Sequence, residues 1–209
     1  WSILPKKKSR GKPLSELLTP DEVATYRTTN DVTGRVWQAK QVHRVARALR
    51  ERQKDVFVYD FRWGGTKGSD VDTVFGAAHA NEIAYFNFSG MFDIWAKNLS
   101  ITEENKAARE ALAKAMMTYT SQFIHTGNPN GTAKLPQWES WSNEKGQAKA
   151  INFDASSKPN DPTFIISMGH TEYALTDLYR EINGLKDPIA QKFSKGIAYD
   201  RWNIEPACG

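Results

Sequence analysis

The sequence has little cysteine, no long apolar run and none of several common catalytic signatures. Its 209 residues include one cysteine, Cys208, which excludes a disulfide framework within the chain and a cysteine-based zinc site. No run of about 18 apolar residues occurs, so we expect no membrane-spanning helix. The sequence contains no Gly-x-Ser-x-Gly, no phosphate-binding glycine loop and no His-Glu-x-x-His. These residues alone therefore do not provide a complete hydrolytic or nucleotide-binding site.

The composition nevertheless predicts a folded protein. Hydrophobic residues make up 40% of the chain and aromatic residues 11%, which is enough apolar surface to offset the entropy lost on ordering. The length is large for one domain and small for two. Because the first residue is Trp1 rather than Met, we expect a processed product or a fragment of a longer polypeptide.

The positive charge is concentrated near the N-terminus. The net charge is +4, and the basic excess lies in residues 1–54, most densely over residues 6–12. Such a cluster could bind nucleic acid, form a solvated surface or be a protease-accessible loop. The aromatic residues that interleave with basic ones in single-strand binders are absent there. We favour the solvated surface and expect no nucleic-acid partner.

The order of predicted elements indicates an α/β protein. Residues 14–27 suit one or two short helices, with Thr19 as a cap before Pro20. Apolar residues at three- and four-residue steps predict a helix over 33–52, and residues 56–61 predict a strand buried on both faces. Further along the chain the patterns predict a helix over 102–125 that stops at Gly127, a strand over 148–153, and a strand or helix within 164–182.

Three stretches, in order, resemble the C-terminal part of type-B carboxylesterases, the family that includes para-nitrobenzyl esterases and cholinesterases. Residues 56–63 (VFVYDFRW) are similar to a late core strand of that family. Residues 76–86 (GAAHANEIAYF) resemble its Gly-x-x-His-x-x-Glu motif, and residues 117–130 (MTYTSQFIHTGNPN) resemble a helix and turn followed by Leu-Pro-x-Trp at 135–138.

The resemblance implies an α/β-hydrolase fold, of which this chain would be the C-terminal portion of a single catalytic domain. It would supply late strands of a mostly parallel sheet with flanking helices. Residues 33–155 carry the match, residues 1–32 form a loosely placed basic and helical segment, and residues 156–209 remain unassigned.

The resemblance also implies a Ser-Glu-His triad to which this chain contributes His79. The triad Ser and Glu would lie upstream, outside this chain, so Glu82 is interpreted as a loop-supporting residue together with Gly76. The residue after the triad histidine is often Gly in the family, whereas here it is Ala80. We expect Ala80 to be tolerated, with a slight change in the loop.

The aromatic residues after the His79 loop have two interpretations. Tyr85 and Phe86 could form an apolar wall of a substrate pocket, or they could pack in the core. The other histidines, His43, His125 and His170, are expected to have packing or surface roles, and no metal site is predicted.

The resulting hypothesis is a serine carboxylesterase that works through an acyl-enzyme intermediate. It needs no cofactor and acts on a small-molecule ester, with the N-terminal portion of the same hydrolase as its partner, present as a separate or cleaved chain. The alternative is a non-catalytic, cholinesterase-like adhesion protein. Family habit suggests secretion or a periplasmic location.

Overall fold

The computed structural model describes residues 12–64, 69–86, 102–132 and 134–201. No helix among these residues is long and apolar enough to cross a membrane. The chain divides into two compact units, the first formed by Trp1–Val45 with Glu172–Gly209 and the second by Ala46–Thr171.

The first unit begins with a helix whose start is fixed by a capping box. Helix α1 spans Pro20–Trp37, after a short 3-10 turn at Leu14–Glu16. The Thr19 side chain accepts a hydrogen bond from the Glu22 N–H, and the Glu22 carboxylate accepts one from the Thr19 N–H at 2.8 Å. Each residue thus satisfies a backbone donor that the helix itself leaves unpaired. The predicted cap at Thr19 is confirmed.

The predicted boundaries of the N-terminal helices are wrong. A π-helical segment over Gln38–His43 joins α1 to helix α2 (Arg44–Arg50), so helical structure runs from Pro20 to Arg50. One long helical stretch therefore replaces the expected short helices at 14–27 and a separate helix at 33–52. The only glycine within it, Gly34, has open space where a Cβ would lie. One such glycine costs a helix only about 1 kcal/mol and does not end it.

The rest of the first unit consists of helices α6 (Leu175–Gly184) and α7 (Pro188–Lys195) and a π-helical turn at Gly196–Arg201. One face of α1 packs on α6 and the final turn through a small apolar core. Its buried residues are Val32, Val36, Ala39, Leu178, Tyr179, Ile182 and Ala198.

The second unit contains a three-stranded mixed sheet. Strand β1 (Tyr59–Phe61) pairs in parallel with β2 (Ala150–Ala155), which pairs antiparallel with β3 (Phe164–Gly169). The predicted strand at 148–153 is confirmed with a shift of two residues. The open question over 164–182 is answered by a strand and then a helix.

The expectation of a strand buried on both faces is wrong for β1. Tyr59 is 39% exposed, and Asp60 and Phe61 are only half-buried. β1 is also shorter than predicted, and among the described residues it has a neighbouring strand on one side only. An edge strand lacks the cover that a central strand receives from both sides. Strand β2, in the centre, is the one that is buried, with Ile151 and Phe153 at 0% exposure.

A long helix covers the sheet. Helix α5 (Lys106–Thr126) starts later than predicted, because Thr102 and Asn105 exchange hydrogen bonds between backbone N–H groups and side-chain oxygens at 3.2 Å before the first turn. It ends, as predicted, at Gly127, which has a left-handed φ of 74°. The core beneath it is largely aromatic and aliphatic. Its buried members are Trp63, Ala84, Tyr85, Ala108, Leu112, Ala113, Met116, Tyr119, Trp138, Ile151, Phe153 and Ala155.

Candidate functional site

His79 lies on a short, exposed loop between two small helices of the second unit. Helix α3 spans Asp70–Val74 and helix α4 spans Ile83–Phe86. The loop is built from tight turns, in which the Asn81 N–H donates to the Ala78 carbonyl at 3.1 Å. The structure thus presents the imidazole of His79 at the surface of this chain.

Two glycines hold the start of this loop against the end of β1. A Cβ on Gly64 would lie 2.4 Å from the Gly76 carbonyl carbon and 2.8 Å from the Ala77 nitrogen. Real Cβ atoms do not approach backbone this closely, so only glycine fits at position 64. Gly76 itself has a φ of 51°, a left-handed conformation that favours glycine. The sequence motif predicts a loop-supporting role for Gly76, but it does not predict that Gly64 contacts Gly76.

Ala80, directly after His79, is the residue at which the sequence departs from the family motif. Its φ is 73°, one of two positive values among the described residues other than glycine. A side chain with a Cβ is strained in this conformation by roughly 1–2 kcal/mol. The structure therefore explains why glycine is common there in the family. In this chain Ala80 adopts the left-handed backbone at that cost.

Asn81 is a loop-supporting residue that the sequence analysis missed. It is 5% exposed, and its side-chain Nδ2 donates to the Gly76 carbonyl oxygen at 3.3 Å. This bond closes the loop around His79 from the inside. The sequence offered only a weak signal, namely the general tendency of asparagine to bond nearby backbone in turns.

Glu82 is a charged neighbour of Tyr59, the first residue of β1. Partial burial, with a smaller contribution from the negative charge of Glu82, raises the pKa of Tyr59 to about 12. The Glu82 backbone carbonyl also accepts the N–H groups of Tyr85 at 2.9 Å and Phe86 at 3.3 Å.

Tyr85 is a core residue in this structure. It is 1% exposed, and its ring centroid lies 4.9 Å from that of Phe61 and 5.8 Å from that of Trp63. Burial raises the pKa of its phenol well above the usual range, an effect partly offset by the positive charge of Arg109. Of the two interpretations of Tyr85, core packing describes its surroundings here, and its role as a pocket wall stays a prediction.

Phe86 lines a depression of about 270 Å³ on the surface of the second unit. The other lining residues are Met117, Thr120, Ser121, Ile124 and His125. His79 does not line it. A second cavity of about 130 Å³ lies beside the turn at 129–132 and likewise does not include His79.

The remaining histidines lie apart from the His79 loop. His43, in the first unit, is buried, stacks on Tyr173 and accepts the Tyr173 N–H at its Nδ1, 3.1 Å away. His125 and His170 are exposed. Across the described residues, no three side chains of His, Cys, Asp or Glu are grouped so as to hold a metal ion. Cys208 lies outside the described residues.

Comparisons with known proteins agree with these motifs. The chain is 34% identical over 104 residues to rabbit (Oryctolagus cuniculus) liver carboxylesterase 1, an alignment that covers 49% of this chain and 16% of that protein. The chain thus spans about one sixth of the length of the curated relative it matches. The model of the carboxylesterase family matches residues 7–165, which include the His79 loop, β1, α5 and β2. The chain belongs to the carboxylesterase family and has part of its α/β-hydrolase fold.

Proposed function

We propose that this chain supplies the histidine of a serine carboxylesterase. His79 acts as general base, and the Ser and Glu of the triad come from a polypeptide outside these 209 residues. The substrate is a small carboxylic ester. Family membership supports the reaction class, and the matching Gly-x-x-His-x-x-Glu motif supports the choice of His79.

The observation that carries the proposal is the contact between Gly64 and Gly76. It ties the His79 loop to the chain just after the carboxyl end of β1. In α/β sheets, ligands and catalytic side chains collect at the carboxyl ends of parallel strands. This location, together with the exposed side chain of His79, supports the choice of His79 as the catalytic base.

In the proposed reaction, the serine oxygen forms a bond to the ester carbonyl carbon while its proton passes to His79. The resulting tetrahedral intermediate collapses when the bond to the alcohol oxygen breaks and His79 returns the proton to that oxygen. Water then attacks the acyl-enzyme with the same assistance, which releases the carboxylic acid and restores the serine. The triad carboxylate orients the imidazole and stabilises its protonated form.

The edge of β1 supports a partner that continues the sheet. Among the described residues, β1 has a neighbouring strand, β2, on one side only. A parallel strand from the N-terminal portion of the hydrolase would extend the sheet on the other side and cover Tyr59, which is 39% exposed. The proposal carries with it a secreted or periplasmic location, on the habit of the family.

Two measurements test this function. We expect the chain alone to leave p-nitrophenyl ester hydrolysis at the buffer rate, and activity to arise when the N-terminal portion of the hydrolase is added. A fluorescent organophosphate should label the added polypeptide and not this chain. Labelling of this chain, or full activity without the added polypeptide, would contradict the proposal. A reassembled protein with neither labelling nor hydrolysis would instead favour the non-catalytic adhesion protein.

A further inference from the structure

Helix α7 of the first unit exposes its large apolar side chains and buries only small ones. Ile189 is 56% exposed and Phe193 is 58% exposed. The buried residues are Ala190 and Ser194, followed by Ala198 in the next turn, each at 0% exposure. A surface helix normally turns its large apolar residues toward the core. The exposed face of α7 therefore does not serve the core of this unit.

Lysines accompany the two exposed apolar residues. Lys192 and Phe193 lie three and four positions after Ile189, so both are its neighbours on the helix surface. Lys195 lies in the last turn, and the exposed Lys186 comes two residues before the helix begins. Helix α7 contains no acidic residue. Its exposed face is thus both apolar and positively charged.

The carboxylate of Asp187, just before α7, is used within the first unit. It accepts the N–H groups of Ile189 at 2.8 Å and Ala190 at 3.2 Å, and the Thr25 hydroxyl of α1 also donates to it. These bonds begin the helix and tie its first turn to α1. The direction in which Ile189 and Phe193 point is therefore set by the fold.

The positive charge of the whole protein lies in the same unit. The first unit has 14 Lys and Arg residues against 10 Asp and Glu, whereas the second unit has 14 of each, so the net charge of +4 belongs to the first. An anionic surface is attracted to such a unit over about a Debye length. Charge complementarity thus favours an anionic partner for α7.

We propose that the face of α7 formed by Ile189, Lys192 and Phe193 docks on an anionic phospholipid membrane. Eight residues are too few to cross a bilayer, so the helix lies in the plane of the interface with its apolar side chains below the headgroups. The long lysine side chains reach the lipid phosphates from there. This inference does not depend on the role of His79.

The composition of α7 favours a lipid surface over a protein partner. Residues that dominate protein–protein binding are most often Trp, Tyr and Arg, and lysine is depleted at such interfaces. Helix α7 contains none of the three favoured types and has two lysines. A convex helix face also needs no complementary pocket to enter the headgroup layer of a bilayer.

The test measures cosedimentation with vesicles, for the full chain alone and for the reassembled hydrolase. The vesicles contain phosphatidylcholine, either pure or with about 30% phosphatidylserine. We expect both forms of the protein to bind the anionic vesicles at least about tenfold more tightly than the neutral ones. Raising the salt to about 0.5 M should remove most of this difference.

Three variants separate the apolar contribution from the charged one. Phe193→Gln and Ile189→Gln should each weaken binding to anionic vesicles about tenfold, because each withdraws one apolar side chain from the lipid. Lys192→Gln should weaken it about fivefold and leave the weak binding to neutral vesicles unchanged. Gln is a better helix former than Phe or Ile, so α7 should persist and the melting temperature should stay the same.

The matched control is Ile124→Gln, which removes a 73% exposed apolar side chain of α5 in the second unit. It should bind vesicles like the unmodified chain. Equal binding to neutral and anionic vesicles, or full binding by the α7 variants, would overturn the proposal. Binding by the chain alone that is lost in the reassembled hydrolase would also overturn it, since the N-terminal portion would then cover α7.

Discussion

Different kinds of interaction stabilise the interior of each of the two units. The second unit has a dense core, in which the rings of Tyr119, Trp138 and Phe153 lie within 6 Å of one another. The first unit has a small core and relies on helix caps and ion pairs. In it, Arg35 binds Glu181 with two hydrogen bonds of 2.6 and 2.8 Å, and it also binds Asp31 at 2.7 Å.

This difference follows the family match. The matched residues, 7–165, contain nearly all of the second unit, whereas α6 and α7 of the first unit lie outside them. In the second unit, residues of the family motifs form close backbone contacts and pack aromatic rings in the core. Such close packing tolerates little change in side-chain size or shape. Capped helices joined by exposed ion pairs tolerate more. We therefore expect substitutions to have larger effects in the second unit.

The largest effect is expected at Gly64. Replacing it with Ala places a Cβ against the Gly76 backbone, so the fold must shift or the His79 loop must move. We expect a loss of about 3 kcal/mol in the free energy of unfolding, measured by urea denaturation. Gly34→Ala in α1 is the control, since a Cβ there meets nothing within 4 Å. It should stabilise the helix by up to about 1 kcal/mol. Equal effects at the two glycines would remove the distinction between the units.

The next effect is expected at Asn130, in the turn after α5. Its side chain accepts the Trp138 N–H at 2.8 Å and donates to the Trp138 carbonyl at 2.9 Å, which holds the Leu-Pro-x-Trp segment against the turn. Asn130→Ala should lower the free energy of unfolding by about 2 kcal/mol, because a half-buried carbonyl and N–H lose their partners. Asn183→Ala, on an exposed position of α6, should change it by less than about 0.5 kcal/mol. An unchanged free energy of unfolding in Asn130→Ala would contradict this account of the turn.

A smaller, salt-dependent effect is expected in the first unit. Arg35→Met removes the ion pairs with Glu181 and Asp31 and should cost about 1 kcal/mol, less at high salt. The control is Arg180→Met, whose pair with Asp177 is exposed and isolated, and it should be neutral. If the two variants behave alike, the Arg35 cluster does not stabilise the first unit.

The Arg35 cluster also predicts a pH dependence. Arg35 lowers the pKa of Glu181 in the folded state, so the unfolded state binds the proton more tightly. The charged Glu181 carboxylate therefore stabilises the fold fully at a pH well above its pKa in the unfolded state, about 4.3. This stabilisation is lost as the pH falls through the lower pKa that Glu181 has in the folded state. Urea melts between pH 6 and about pH 3 should show a shallower loss in Arg35→Met than in the unmodified chain. An identical pH profile would refute the assigned cause.

The smallest effect, and the only expected gain among these loop and turn variants, is at Ala80. Ala80→Gly relieves the left-handed strain next to His79 and should raise the free energy of unfolding by about 0.5–1 kcal/mol. Ala77→Gly, in the same loop but without a positive φ, is the matched control and should lower it by a similar amount. Destabilisation by both variants would show that the loop does not hold Ala80 under strain.

Local signals in the sequence predicted much of this fold. Thr19 starts a helix and Gly127 ends one, each through backbone groups only a few residues away, so the residue type alone predicts these two helix ends. The histidine motif placed His79 on a loop after a strand. The predicted element boundaries are wrong where tertiary packing sets them, as in the continuous helical stretch from Pro20 to Arg50. The predicted burial of β1 is wrong for the same reason.

The residues that hold the His79 loop in place were harder to predict from the sequence than His79 itself. The contact of Gly64 with Gly76 joins residues 12 positions apart, and the edge-on packing of Tyr59 against Phe86 joins residues 27 positions apart. Neither pair has a spacing that any single element would impose, so only the folded backbone brings them together. The conformation of Ala80 is likewise set by the loop and contradicts the preference of alanine.

The central claim is that His79 is the general base of an ester hydrolase, and one measurement tests it most directly. The burst of p-nitrophenol that accompanies acyl-enzyme formation would be recorded for the reassembled hydrolase carrying His79→Ala, with the exposed His170→Ala as control. We predict that the burst disappears in His79→Ala and is unchanged in His170→Ala. A full burst in correctly folded His79→Ala would contradict the claim.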